Sequence, residues 1–243
     1  MKRTASKGKP IDLALLPNIE YAHMWLTLDE AAANRIKALR RALERINNTT
    51  RLLWLSDSDQ KTLAVTSNEL GPLREGLLRA ALAELFSVED VLRLDLKELG
   101  RNDSVLKMND TTLPHVHFIR ELRTHELHLY HSPLTGFQRD LLWGNMAKPK
   151  EARPIKIELW RLDGVTVQSF GKLDNAKYYT ADEQQAMVDW FNDAQGQWGV
   201  QEVVLRVANG YAEALGAHYF PMSTPSATTE THRDRNHHPK RKT

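Results

Sequence analysis

The chain contains no cysteine. Disulfide frameworks and thiolate metal centres are therefore excluded, and with them a small secreted fold held together by cross-links. It also lacks any run of about 18 apolar residues, the length that a membrane-spanning helix requires. Residues 1–10 are basic and polar, and residues 11–17 are too short and broken for a signal peptide, so a cytoplasmic protein is expected. Only 12 of the 243 residues are glycine, and they never gather into a phosphate-cradling loop. No Gly-x-Ser-x-Gly elbow offers a serine nucleophile, and no segment repeats.

What is present is an ordinary globular balance, 41% hydrophobic and 26% charged, enough for a sizeable core. The net charge of +2 is unevenly spread: residues 1–10 carry +4 and residues 222–243 carry +3, which leaves residues 11–221 at −5. Both ends are expected to be disordered basic arms, because they have almost nothing to bury. They would add weak, salt-sensitive affinity for nucleic acid, although solubility alone accounts for them.

Apolar residues recur at helical spacing over residues 27–48, 72–94 and 113–130, and these three helices are expected to pack together. Thr27 with Glu30, and Thr180 with Glu183, have the spacing of capping boxes. Pro72 suits a first helical turn, and Gly76 would mark close helix packing. Asn47 to Thr50 reads as a helix end, Asp95 to Asp110 as a charged loop, and residues 132–151 as turn-rich. Strand-like pieces over 155–167 flank Asp163-Gly164, a hairpin signal. Two further helices follow, at about 180–196 and 199–215. The fold class is thus mostly α: a helical domain over 11–148, then a mixed or helical extension over 150–221.

One segment stands out chemically. Five of the ten histidines fall in residues 115–131, and an arginine precedes a histidine by five positions in two overlapping frames, Arg120 with His125 and Arg123 with His128. Arginine stays charged and grips phosphate oxygens; histidine titrates near neutrality and can move protons. His115, His117 and His131 read as surface or boundary residues. His125, His128 and His131 recur at i, i+3, a spacing that would gather imidazoles on one face, but His125-Glu-Leu-His128 is one residue short of the zinc-protease pattern. No metal and no cofactor are expected. Trp190, Phe191, Trp198 and Tyr211 read as core rather than as a base-stacking platform. The helices near 180–215 have helix-turn-helix order, but the second offers only Arg206 as a base reader.

The stretch Arg123-Thr124-His125-Glu126-Leu127-His128, near the end of a helix that follows another long helix, resembles the HEPN superfamily, with Thr124 standing where Asn, Asp or His is more typical. The resemblance spans about residues 20–140. It implies a helical bundle and, in ribonuclease members, metal-independent RNA cleavage. Arg123 and His128 would be the catalytic pair, with Arg120, Thr124 and His125 beside them against RNA. Residues five apart point about 140° away from each other on an ideal helix, so a composite site would need a two-fold homodimer. A catalytically silent relative that binds RNA or a protein partner is the alternative favoured by Thr124 and the acidic body, and a DNA-binding regulator is the third.

Overall fold

The computed structural model describes residues 11–20, 28–58, 67–128, 133–143, 153–171 and 175–221. Within these, seven helices and a two-stranded antiparallel sheet make a mostly α fold. No helix there is long and apolar enough to cross a membrane. The residues expected as basic arms, 1–10 and 222–243, lie outside the described residues.

Helix α1 (Glu30–Ile36) is capped by Asp29, whose carboxylate accepts the amides of Ala31 and Ala32 at 2.7 and 3.1 Å. Thr27, expected in that role, lies outside the described residues. The expected single helix over 27–48 is two helices: the chain breaks at residues 37–39 and resumes as α2 (Arg40–Ser58). The cause is tertiary. Buried Asp95, far along the chain, accepts the Ala42 amide at 3.0 Å and so caps α2 from another helix. Arg41 then reaches the same carboxylate.

Residues 47–50 do not end α2. Thr49 and Thr50 donate their hydroxyls to the carbonyls four residues back, and Thr49 also reaches the Ala81 carbonyl across the helix pair. That partner helix, α3 (Ser67–Glu98), holds Pro72 inside rather than at its start. It also takes in Asp95, which was expected in a loop. Gly76 marks no close packing, since a Cβ built there meets nothing within 4 Å.

Helix α4 (Pro114–His128) opens with proline at its first position, as its sequence suggests. The hairpin lies elsewhere than expected. Strand β1 (Leu134–Trp143) arises from the turn-rich stretch and pairs with β2 (Arg153–Leu162), Leu134 opposite Leu162 and Trp143 opposite Arg153. Asp163 and Gly164 instead lead out of β2, Gly164 at φ +78°, towards the short helix α5 (Val167–Phe170).

Helix α6 (Ala181–Trp198) begins with the anticipated Thr180–Glu183 box. Gly199, at φ +86°, turns the chain directly into α7 (Val200–Tyr219). A Cβ at Gly199 would also lie 2.8 Å from Gln201 Oε1. Helix α7 is the axis of the molecule: it touches α1, α2, α3, α4, α6 and β2, and most of its residues are buried. One hydrophobic cluster runs from Leu28 to Tyr219 and includes Trp190, Phe191 and Tyr211, which are core as expected.

Two arginine–tryptophan contacts grip the hairpin. Arg74 of α3 lies 4.2 Å over the ring of Trp160 in β2, and Arg139 of β1 lies 4.2 Å over Trp198 at the end of α6. Gln195 fixes the end of β2, accepting from the Leu162 amide at 2.8 Å and donating to its carbonyl at 2.9 Å. Segment 11–20 is strapped to α6 and α7 through three successive carbonyls: Trp190 donates to Pro17, Arg206 to Asn18 and Trp198 to Ile19.

Candidate phosphate-contacting face of helix α4

Helix α4 presents two faces of different character. Its inner face buries His115, Val116, His117, Phe118, Ile119, Glu121 and Leu122. Phe118 stacks on Phe170 at 5.4 Å and meets Phe191 at a tilt at 4.8 Å, which seats the helix against α5 and α6. Arg120, Arg123 and Thr124 fall on the half-buried side. The backbone of α4 continues to His128, but the side chains of His125 and His128, and all of His131, lie outside the described residues.

Two of the three histidines read as surface or boundary residues are buried, 4% exposed at His115 and 0% at His117. Both nitrogens of His117 are engaged, Nδ1 with the Tyr179 hydroxyl and Nε2 with the Thr111 carbonyl, each at 2.9 Å. A carbonyl can only accept, so Nε2 carries a proton and donates to Thr111. Burial and nearby Glu121 push the Tyr179 hydroxyl well above its ordinary range, so it remains a donor. His115 packs against Trp190, and its Nδ1 has no hydrogen-bond partner among the described residues. Burial, aided by His117 and Arg206, pushes its pKa down to about 3. Near neutral pH it is an uncharged core residue that cannot serve as a general acid.

The arginines differ. Arg120 is held by acids: its guanidinium lies 3.9 Å from Glu89 and 3.6 Å from Glu121. Glu121 is fully buried and also accepts from Asn175 at 2.9 Å, so this cluster ties α4 to α3 and to the segment before α6. Arg123 lies one turn on. Its guanidinium carbon sits 4.4 Å from the centre of the Phe86 ring of α3, and its Nε has no hydrogen-bond partner among the described residues. The ring steadies the cation from one face, and its Nε is itself withdrawn from solvent. Thr124 stands beside it, half-buried.

Arg206, the one base reader that a helix-turn-helix would have, is 5% exposed and pairs with buried Glu202 at 2.8 Å while it straps Asn18. Its i, i+4 spacing from Glu202 was the sequence signal for this pairing. The His117–Tyr179 and Glu121–Asn175 contacts join residues more than fifty positions apart and left no such signal. No group of three or more metal-ligating side chains occurs among the described residues. Compared with protein-family models, with curated proteins and with solved structures, the chain matches none.

Proposed function

We propose that this chain acts on RNA through the outer face of α4, as a HEPN-like, metal-independent endoribonuclease whose site is assembled from two copies of the chain. The observation that supports it is the setting of Arg123: a half-buried guanidinium that lies over Phe86 and pairs with no carboxylate among the described residues. A phosphate oxygen is the partner that such a donor suits. In the proposed reaction the 2′-hydroxyl of the RNA gives up its proton to solvent and attacks the adjacent phosphate, the P–O5′ bond breaks as His128 gives the leaving oxygen a proton, and a 2′,3′-cyclic phosphate is left. His128 carries a proton, Arg123 stabilises the charge that develops on phosphorus, and Arg120, Thr124 and His125 border the strand. Arg123 and His128 diverge on one helix, so each half-site takes its histidine from the second copy.

One observation favours a second reading, in which the domain binds RNA or a protein partner without cleaving. Arg120 of the overlapping frame is already engaged by Glu89 and Glu121, and so is anchored in the fold. A single assay separates the readings. Wild type, His128→Ala and Arg123→Ala are each given end-labelled RNA with and without EDTA. The nuclease reading requires cleavage by wild type with cyclic phosphate ends, undiminished by chelator, and a loss of about 10²–10⁴-fold in His128→Ala. Equal cleavage in all three, or cleavage only with added magnesium, defeats it. Wild type that binds RNA and leaves it intact establishes the second reading.

A further inference from the structure

Helix α7 turns one stripe away from the core. Gly210, Glu213, Ala214, Ala217 and His218 recur at helical spacing and are half-buried or exposed. With α1 and the segment 106–113 this stripe borders a hollow of about 790 Å³, within the size range of small-molecule sites. Two glycines of α7 fix how closely its walls approach. A Cβ at Gly216 would lie 2.8 Å from the Arg35 Cβ, so α1 closes on α7 there. A Cβ at Gly210 would lie 2.6 Å from His115 Nε2, so the buried ring comes up against a residue that lines the hollow.

Two carboxylates line the hollow with acceptor capacity to spare. Asp29 takes both of its helix-capping bonds on Oδ1, and its Oδ2 accepts none among the described residues. Glu213 makes no hydrogen bond and no ion pair among the described residues. Burial, and then the nearby Asp29 carboxylate, hold the Glu213 carboxyl above its ordinary range, against the opposing pull of Arg35. A partly shielded acid beside another acid gains most from a cation brought next to it. The third group is His115 behind Gly210. It is 4% exposed, its Nδ1 has no hydrogen-bond partner among the described residues, and it is uncharged near neutral pH, so it does not repel a cation.

The rest of the lining decides the kind of cation. No group of three or more metal-ligating side chains occurs among the described residues, which leaves a bare metal ion short of ligands. Ala31, Leu106, Leu113 and Ala217 give the hollow an apolar wall, against which an alkyl chain sheds water. An ammonium brings three N–H donors and no acceptor, the complement of a carboxylate with open oxygens. The two acids stand on different elements, Asp29 at the start of α1 and Glu213 on α7. A chain with an ammonium towards each end suits both.

We propose that the hollow between α1 and α7 binds a free linear aliphatic diamine or polyamine, one ammonium on Glu213, another on Asp29, the alkyl chain along the apolar wall, and the buried His115 ring as its floor at Gly210. The site uses none of Arg123, Thr124 and His128, and it stands whether or not RNA is cleaved.

The test is calorimetric titration of the full chain with putrescine and with spermidine, with butanediol as the uncharged counterpart and magnesium chloride as competitor. Wild type is expected to bind both amines and to ignore the diol. Glu213→Gln is expected to bind putrescine about tenfold more weakly, the loss of one charged hydrogen-bonded contact. Asp29→Asn, which keeps a good helix cap, is expected to weaken it as well. Both residues are exposed, so neither change opens the core. Gly210→Ala, which drives a methyl group at His115, should act in the same direction. Asp193→Asn, an equal charge change on the exposed side of α6, is expected to stay within about twofold of wild type. Four results would each overturn the assignment: wild type that binds no amine more tightly than about 10 mM, equal binding of diol and diamine, equal loss in Glu213→Gln and Asp193→Asn, or displacement of putrescine by equimolar magnesium.

Discussion

The guanidinium of Arg74 lies 4.2 Å over the indole of Trp160, and both side chains are buried. The contact joins the first half of the long α3 helix to the inner strand of the hairpin, and it holds a charge inside the fold. Truncating Trp160 to alanine is expected to cost about 3–5 kcal/mol, as for other buried tryptophans. A double-mutant cycle with Arg74→Met should return a coupling of about 2 kcal/mol, the value for a desolvated cation over a ring. Urea unfolding of the four proteins measures it. Additive losses would mean that the two residues pack independently.

His115 sets an acid limit on stability. Its folded-state pKa of about 3 lies below the ordinary 6.5, so as the pH drops below 6.5 the unfolded chain binds a proton that the folded one refuses. Folding free energy therefore declines from near pH 6.5 towards pH 3, by up to about 1.4 kcal/mol per pH unit, and this contribution is constant above and below that window. In His115→Leu this decline should vanish, so the variant gains on wild type with each unit of acidification. Unfolding midpoints at pH 7, 6, 5 and 4 report it. Parallel curves for the two proteins would remove His115 from the account.

Glu202 and Arg206 form an ion pair that is almost wholly withdrawn from water, with side chains 2% and 4% exposed. Removing one member takes from the other its buried counter-ion. Arg206→Met alone is expected to cost about 3–5 kcal/mol, while Glu202→Met with Arg206→Met should recover much of that loss. The double variant still leaves the Asn18 carbonyl without its donor, worth about 1 kcal/mol. Thermal melts of the single and double variants decide the matter. A double variant no more stable than the single would show that the strap, rather than the stranded carboxylate, dominates.

The long apolar periodicities made the helix content legible, because a stripe of Leu, Ile and Ala at helical spacing has few other uses. Boundaries were less legible wherever a distant residue decided them. Nothing near residues 37–42 announces a break, since the carboxylate that caps α2 is Asp95, more than fifty positions away. Thr49 and Thr50 resemble a helix end in isolation and become helical by donating to carbonyls behind them. The hairpin was misplaced because Asp163-Gly164 has the composition of a tight turn while serving as an exit from β2. On α4, composition marked the segment but could not sort it. His115 and His117 look no different from other histidines until α6, α7 and Tyr179 close over them. The setting of Arg123 depends on Phe86, a residue of another helix.

The strap of Pro17, Asn18 and Ile19 has a consequence for synthesis. Its donors, Trp190, Arg206 and Trp198, follow it by 173, 188 and 179 residues. On a ribosome that adds about 5–20 residues per second, this early segment waits roughly ten seconds or more before anything exists for it to hold. Helix α7, the axis against which α1, α2 and α4 pack, is made after all of them. Until then the faces that those helices turn to α7 have no partner. The nascent chain is thus an obvious client for chaperones that shield such faces, and a stop codon placed before residue 200 would yield a fragment without the centre of its own core, fit for degradation rather than partial activity.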